Sequence, residues 1–115
     1  MSATKSLRRP MTMADFDHIP GSGEMKLEDH RRWPSSRVVL YCADCGWARD
    51  YHPDAVARRL RELRAGGYRA SVRDVARRVA WPCPACHHMK WASTLAYPKS
   101  LDRREVERAA RQIRS

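Results

Sequence analysis

Apolar and polar positions follow strand spacing in two regions of this chain and helical spacing between them. Val38-Val39-Leu40-Tyr41 is a β-branched and aromatic run leading directly into Cys42, and Trp47 to Tyr51 has strand-like character. With the Cys42-Ala43-Asp44-Cys45-Gly46 turn between them, the two runs predict a β-hairpin. Gly46 falls where a positive φ lets backbone amides point at the preceding thiols. Further on, Lys90 to Tyr97 alternates Trp91, Ser93, Leu95 and Tyr97 with Ala92, Thr94 and Ala96, the period of a strand.

Helical spacing occurs twice between these regions. After His52-Pro53, with Asp54 as a cap, Val56, Leu60 and Leu63 fall at i, i+4 and i+7, and Gly66-Gly67 marks a stop. A second helix is expected from Ser71, where Ser71-x-x-Asp74 is a capping-box variant. Its apolar face is Val72, Val75, Ala76 and Val79, and it ends near Trp81 because Pro82 disfavours helical geometry in the preceding residue. Pro98-Lys99-Ser100 breaks the chain before a third helix over residues 101–114, with Val106, Ala109, Ala110 and Ile113 on one side. Residues 1–36 show no sustained period and carry Pro10, Pro20-Gly21-Ser22-Gly23 and Trp33-Pro34-Ser35-Ser36. They read as a flexible N-terminal segment, which Phe16 and Trp33 can anchor on a partner or on the protein's own surface. The expected organisation is therefore a flexible segment over 1–36, a domain over 37–98 and a C-terminal helix over 99–115.

Composition makes the core look thin. Among 115 residues, 43% are apolar, but only one is Phe. Small domains with so few large side chains often need a staple, and four cysteines are present to provide one. The first ten residues contain no apolar core of a secretory signal, and no stretch approaches a membrane span. A cytoplasmic, reducing setting is the expectation, in which paired Cys-x-x-Cys units read as metal ligands before disulfides or redox pairs.

Cys42, Cys45, Cys83 and Cys86 form two Cys-x-x-Cys pairs separated by 37 residues. Two residues between cysteines let one tight turn present both sulfurs to one ion, and two such turns complete the tetrahedral four-cysteine shell that zinc prefers. The expected cofactor is one structural Zn2+. Four thiolates leave no open position for a catalytic water, and no nucleophile or phosphate-loop motif is present, so no enzymatic activity and no small-molecule substrate are expected. His87 and His88 follow the second pair as alternative ligands, supporting donors or exposed side chains.

Charge changes the picture of what the domain meets. The net charge is +10, and residues 53–80 carry eight arginines against three acids. Because the apolar positions of both helices are committed inward, Arg58, Arg59, Arg61, Arg73, Arg77 and Arg78 fall on outer faces. Such an array suits phosphate contact and hence nucleic acid, DNA or RNA. Trp47, Trp81 and Trp91 either stack on unpaired bases or complete the core. The alternatives are a solvated arginine face, or a protein–protein adaptor docking on an acidic protein surface.

Residues 38–97, with the knuckles Cys42-Ala43-Asp44-Cys45-Gly46 and Cys83-Pro84-Ala85-Cys86, resemble the zinc-ribbon superfamily. Each is similar to half of the pattern Cys-Pro-x-Cys-Gly; the first lacks the proline, and the second has His87 in place of glycine, so a different local turn is expected there. Tyr51-x-Pro53 and the arginine-rich helix add a likeness to small uncharacterised alphaproteobacterial zinc-ribbon proteins. The resemblance implies a bacterial, cytoplasmic protein with the four cysteines as zinc ligands. The fold class expected is α+β: a small zinc ribbon of short antiparallel strands with two helices inserted between the knuckles and a C-terminal helix.

Overall fold

The computed structural model describes residues 11–99, and the expected C-terminal helix over 101–114 lies outside them. The predicted hairpin forms: β2 (Arg37–Cys42) pairs antiparallel with β3 (Ala48–Tyr51), Val38 opposite Tyr51 and Tyr41 opposite Ala48. The last strand, β4 (Trp91–Pro98), lies on the other side of β2, with Val38 opposite Leu95 and Cys42 opposite Trp91. A short strand from the N-terminal region, β1 (Phe16–His18), closes the far edge against β4. The four-stranded antiparallel sheet thus has the order β1-β4-β2-β3.

β4 and β2 are the interior strands, and alternate residues on them feed two separate cores. Val38 and Leu95 face Ile19, Leu27, Ala57, Leu60, Ala70 and Val72. Val39 and Ala96 face the other way, onto Phe16 and Ala48, with Met13 and Tyr41 packed beside them.

The stretch 11–36 differs from the expectation of a flexible segment outside the domain. It supplies β1, three short 3-10 turns and the buried side chains Phe16, Ile19 and Leu27. Its backbone is tied to the rest by Ile19 N–H to Leu95 O at 3.0 Å and Leu27 N–H to Ala70 O at 2.9 Å. Buried Ser22 reinforces the join: its Oγ lies 2.6 Å from Thr94 Oγ1 and accepts the Leu95 N–H at 2.9 Å. A boundary at residue 37 therefore runs through the middle of the core.

The first predicted helix is present as α1 (Pro53–Glu62). Its cap is His52 rather than Asp54: His52 Nδ1 accepts the Asp54 N–H at 3.1 Å. Asp54 instead accepts a hydrogen bond from the Tyr68 hydroxyl. The second predicted helix contracts to one turn, α2 (Asp74–Arg77). Its intended first residues are engaged elsewhere, since Val72 and Arg73 donate their N–H groups to Met25 O and Gly23 O at 2.7 and 3.0 Å. On the sheet side the Ser93 hydroxyl donates to Val72 O at 2.6 Å and accepts the Ala76 N–H at 3.1 Å. Beyond Arg77 the backbone N–H groups make turn-type bonds, Arg78 N–H to Val75 O and Val79 N–H to Ala76 O, before Pro82. Among the described residues no helix is long and apolar enough to cross a membrane.

Candidate metal centre

The sheet delivers both cysteine pairs to one end. Cys42 is the last residue of β2, Cys45 lies in the β2–β3 turn, and Cys83 and Cys86 lie in the loop entering β4. The pairing of Cys42 with Trp91 is continued by Ala43 N–H to Lys90 O at 2.7 Å, which holds the two loops side by side.

The two knuckles share one backbone geometry. In the first, Cys42 N–H donates to Trp47 O and Gly46 N–H donates to Cys42 O, at 2.8 and 2.9 Å. In the second, Cys83 N–H donates to His88 O and His87 N–H donates to Cys83 O, both at 2.8 Å. Gly46 has φ 84° and His87 has φ 66°. The second turn was expected to differ because it lacks glycine; instead His87 takes the left-handed conformation itself. That costs a non-glycine residue about 1–2 kcal/mol.

All four sulfurs lie within 4.8 Å of one another. Cys42 Sγ is 3.5 Å from Cys86 Sγ, and Cys45 Sγ is 3.6 Å from Cys83 Sγ. A disulfide would require about 2.05 Å, and the four are free thiols. A tetrahedron with metal–sulfur bonds of about 2.3 Å has edges of about 3.8 Å, close to both separations. Cys42 and Cys83 are buried, Cys86 is half-buried and Cys45 is exposed, so the cluster sits at the rim of the fold with two sulfurs anchored in it.

Electrostatics explain why such a cluster calls for a cation. Amides of Cys45 and Asp44 donate to the Cys42 sulfur and hold its thiol below the ordinary value despite burial. At Cys83 burial resists ionisation, but the Cys86 and Ala85 amides and the neighbouring thiols prevail and bring it to about 7. The other two move the opposite way. The Trp47 amide favours the Cys45 thiolate but is outweighed by burial and the Cys83 sulfur, so that thiol rises. The His88 amide likewise favours the Cys86 thiolate, but burial and the three other sulfurs push it up to about 12. Four thiolates this close repel one another, and a divalent cation at their centre removes the conflict. The donor set, spacing and amide cradle all fit a metal ion.

The four-sulfur cluster includes neither histidine, although His88, Asp44 and Cys86 bring ligand atoms within 4.8 Å of one another beside it. His88 instead holds Asp44, with Nδ1 2.6 Å from Asp44 Oδ2, and Lys90 Nζ approaches the same carboxylate at 3.5 Å. The His88 contact, then Lys90, keeps the Asp44 carboxyl below its usual range. Asp44 belongs to the first knuckle and His88 follows the second, so this bridge clamps the pair together. The sequence offered His88 as a supporting donor, but its acceptor, Asp44, was not foreseen.

The tryptophans gather beside the cluster. Trp47 and Trp81 each meet Trp91 edge to face, at 5.7 and 6.4 Å between ring centroids, and Trp91 Nε1 donates to Trp81 O at 2.8 Å. Trp47 and Trp91 are half-buried, whereas Trp81 is 49% exposed. Arg58, Arg59, Arg61, Arg73, Arg77 and Arg78 are all exposed. Three of them meet acids: Arg59 with Glu62 at 3.1 Å, Arg73 with Glu24 at 2.7 Å and Arg77 with Asp74 at 3.1 Å.

No protein-family model, curated protein or solved structure matches this chain. The geometry itself defines a class: a small α+β protein whose four-stranded antiparallel sheet presents four clustered cysteines able to hold a metal ion.

Proposed function

We propose that the four thiolates hold one structural zinc ion in a zinc-ribbon arrangement, and that the platform so formed binds nucleic acid. The zinc reading is carried by one observation, the convergence of four sulfurs within 4.8 Å, two pairs of them at 3.5 and 3.6 Å, inside two matching amide cradles. The zinc-ribbon reading draws on placement: one knuckle turns the β2–β3 hairpin and the other leads into β4, which pairs with β2. Native mass spectrometry should give one zinc per chain, and Co2+ substitution should give the absorption of a tetrahedral tetrathiolate. Cys83→Ser should weaken metal binding more than any arginine substitution. A reduced, metal-free chain with unchanged stability on added zinc would defeat the reading.

The nucleic-acid reading is supported by the six exposed arginines of α1, α2 and their flanks. Arg58, Arg61 and Arg78 have no acidic partner among the described residues. If these three neutralise phosphates, log K should fall against log salt with a slope of about −2.7 on duplex DNA. Anisotropy titrations with duplex DNA, single-stranded DNA and RNA over a salt series test this. Binding that is absent at 50 mM salt, or unaltered by replacing Arg58, Arg59, Arg77 and Arg78 with alanine, would refute it.

A second reading, a zinc-stabilised protein–protein adaptor, is favoured by a specific feature. The surface between α1 and α2 carries an apolar groove of about 300 Å³.

A further inference from the structure

The groove has walls from both helices. Val56 and Leu60 of α1 stand on one side, Val75 and Val79 of α2 and its flank on the other, and Leu40 of β2 contributes to the lining. Two large apolar side chains on its margin face water: Leu63 is 48% exposed and Trp81 is 49% exposed. Leu63 and Trp81 border the same groove, so their exposure is contiguous with its apolar lining rather than scattered. Arg59, paired with Glu62, lies on the α1 side and Arg78, with no acidic partner among the described residues, on the α2 side, and no acidic residue lines the groove.

That charge pattern selects the occupant. Residues 101–115 of the same chain carry five arginines and three acids, and a second copy carries +10, so either would bring further positive charge to an arginine rim. A nucleic acid would satisfy the arginines but would leave the apolar walls without a fitting surface. A helical segment with apolar residues at i, i+3 or i+4 and i+7 and carboxylates beside them satisfies both. We infer that the α1–α2 groove docks an acidic amphipathic helix of a partner protein, with Leu63 and Trp81 as anchors and Arg78 as the carboxylate contact. The inference rests on the adaptor reading and gives it a surface and a partner chemistry.

Fluorescence polarisation of the zinc-loaded full-length protein tests it. The probes are a panel of labelled 16-residue helical peptides with leucine or tryptophan at the apolar positions and glutamate elsewhere, beside lysine counterparts of the same apolar pattern. Saturable one-to-one binding of a glutamate peptide is expected, with the lysine set not binding. Leu63→Ser, and separately Trp81→Ser, should weaken it by at least about tenfold, the scale of one lost buried apolar side chain. Arg78→Glu should weaken it further as salt is lowered, and Arg31→Ala should leave it unchanged. Leu63 is half-exposed, so its replacement leaves the core intact, and circular dichroism verifies the fold of each variant. No saturable binding across the panel, equal binding of glutamate and lysine sets, or indifference to Leu63→Ser would overturn the inference. Duplex DNA binding with no peptide binding would overturn it while leaving the nucleic-acid reading standing. Peptide binding with no DNA binding would sustain it and remove that reading.

Discussion

Leu27→Ala probes the least expected part of the fold. Leu27 is fully buried, and Ile19, Val38, Leu60, Val72 and Leu95 belong to the same core cluster. Its backbone N–H is held by Ala70 O at 2.9 Å, so the main chain is not free to follow a shrinking side chain. Truncating a leucine in such a setting costs about 2–5 kcal/mol, the lost transfer free energy plus a cavity. With about 3 kcal/mol lost from a total of about 5–15 kcal/mol, the midpoint of thermal unfolding should fall by roughly 10–20 °C. Equilibrium urea unfolding at fixed excess zinc, followed by tryptophan fluorescence and far-UV circular dichroism, measures the loss. Met11→Ala, at a side chain 37% exposed on the same segment, serves as the control and should change stability by no more than about 0.5 kcal/mol. A loss below about 1 kcal/mol for Leu27→Ala with an unchanged denaturant slope would refute the inclusion of residues 11–36 in the core.

His87→Gly should hold or raise the stability of the zinc-loaded protein by up to about 1 kcal/mol, because glycine relieves the left-handed strain while adding unfolded-state entropy. His87→Val should lower it by more than about 1 kcal/mol, and the reverse order in thermal melts would mean the second knuckle is not built as described. Burial holds the His30 imidazole below 6.5, outweighing Asp54, while Arg31 and His52 add to the depression. The folded state therefore resists a proton that the unfolded chain accepts, so this contribution is present above about pH 6.5 and is lost as pH falls below it. Denaturation at pH 7.5 and 5.5 in saturating zinc should show a larger fall for the native chain than for His30→Gln, and equal falls would contradict the assignment. Ser93→Ala should cost about 1–3 kcal/mol by orphaning the Val72 carbonyl and the Ala76 amide, and a change under about 0.5 kcal/mol in urea melts would disprove that link.

The legible parts of this protein are those whose local signals stand alone. The hairpin, β4 and α1 follow from β-branched runs, strict alternation and i, i+4 spacing, and the cysteine cluster follows from spacing alone. Residues 11–36 were not legible because Phe16, Ile19 and Leu27 sit on a three-residue strand and among short 3-10 turns, which impose no lasting period on the sequence. Their burial becomes visible only through partners far along the chain, such as Thr94 for Ser22 and Ala70 for Leu27. The second helix failed for the opposite reason. Val72, Val75, Ala76 and Val79 do carry helical spacing, but one turn flanked by tertiary bonds satisfies much of the same pattern. His87 shows a third kind of gap: glycine is the usual residue at its position, yet the surrounding bonds impose the same turn on histidine.

Where the cysteines sit decides what a metal ion contributes. The 37 residues between the two knuckles must be closed into a loop, at about 3 kcal/mol on the logarithmic scaling for flexible segments. Much of that closure is already achieved by the β2–β4 pairing, because Val38 opposite Leu95 lies in the core and Cys42 opposite Trp91 lies at the end of the same ladder. The sheet therefore contributes to bringing the four sulfurs together. What the sheet leaves unresolved is charge, since thiols drawn to about 7 and pushed up to about 12 within one cluster cannot all ionise. A tetrathiolate zinc site contributes on the order of 10–16 kcal/mol in small domains that fold around it, more than either the loop closure or the strain at His87. An ion held there would act first on the two knuckles that supply its ligands, with the Trp81–Trp91 contact beside them. The Leu27 core draws instead on apolar contacts among Ile19, Val38, Leu60, Val72 and Leu95, none of which is a cysteine of the cluster.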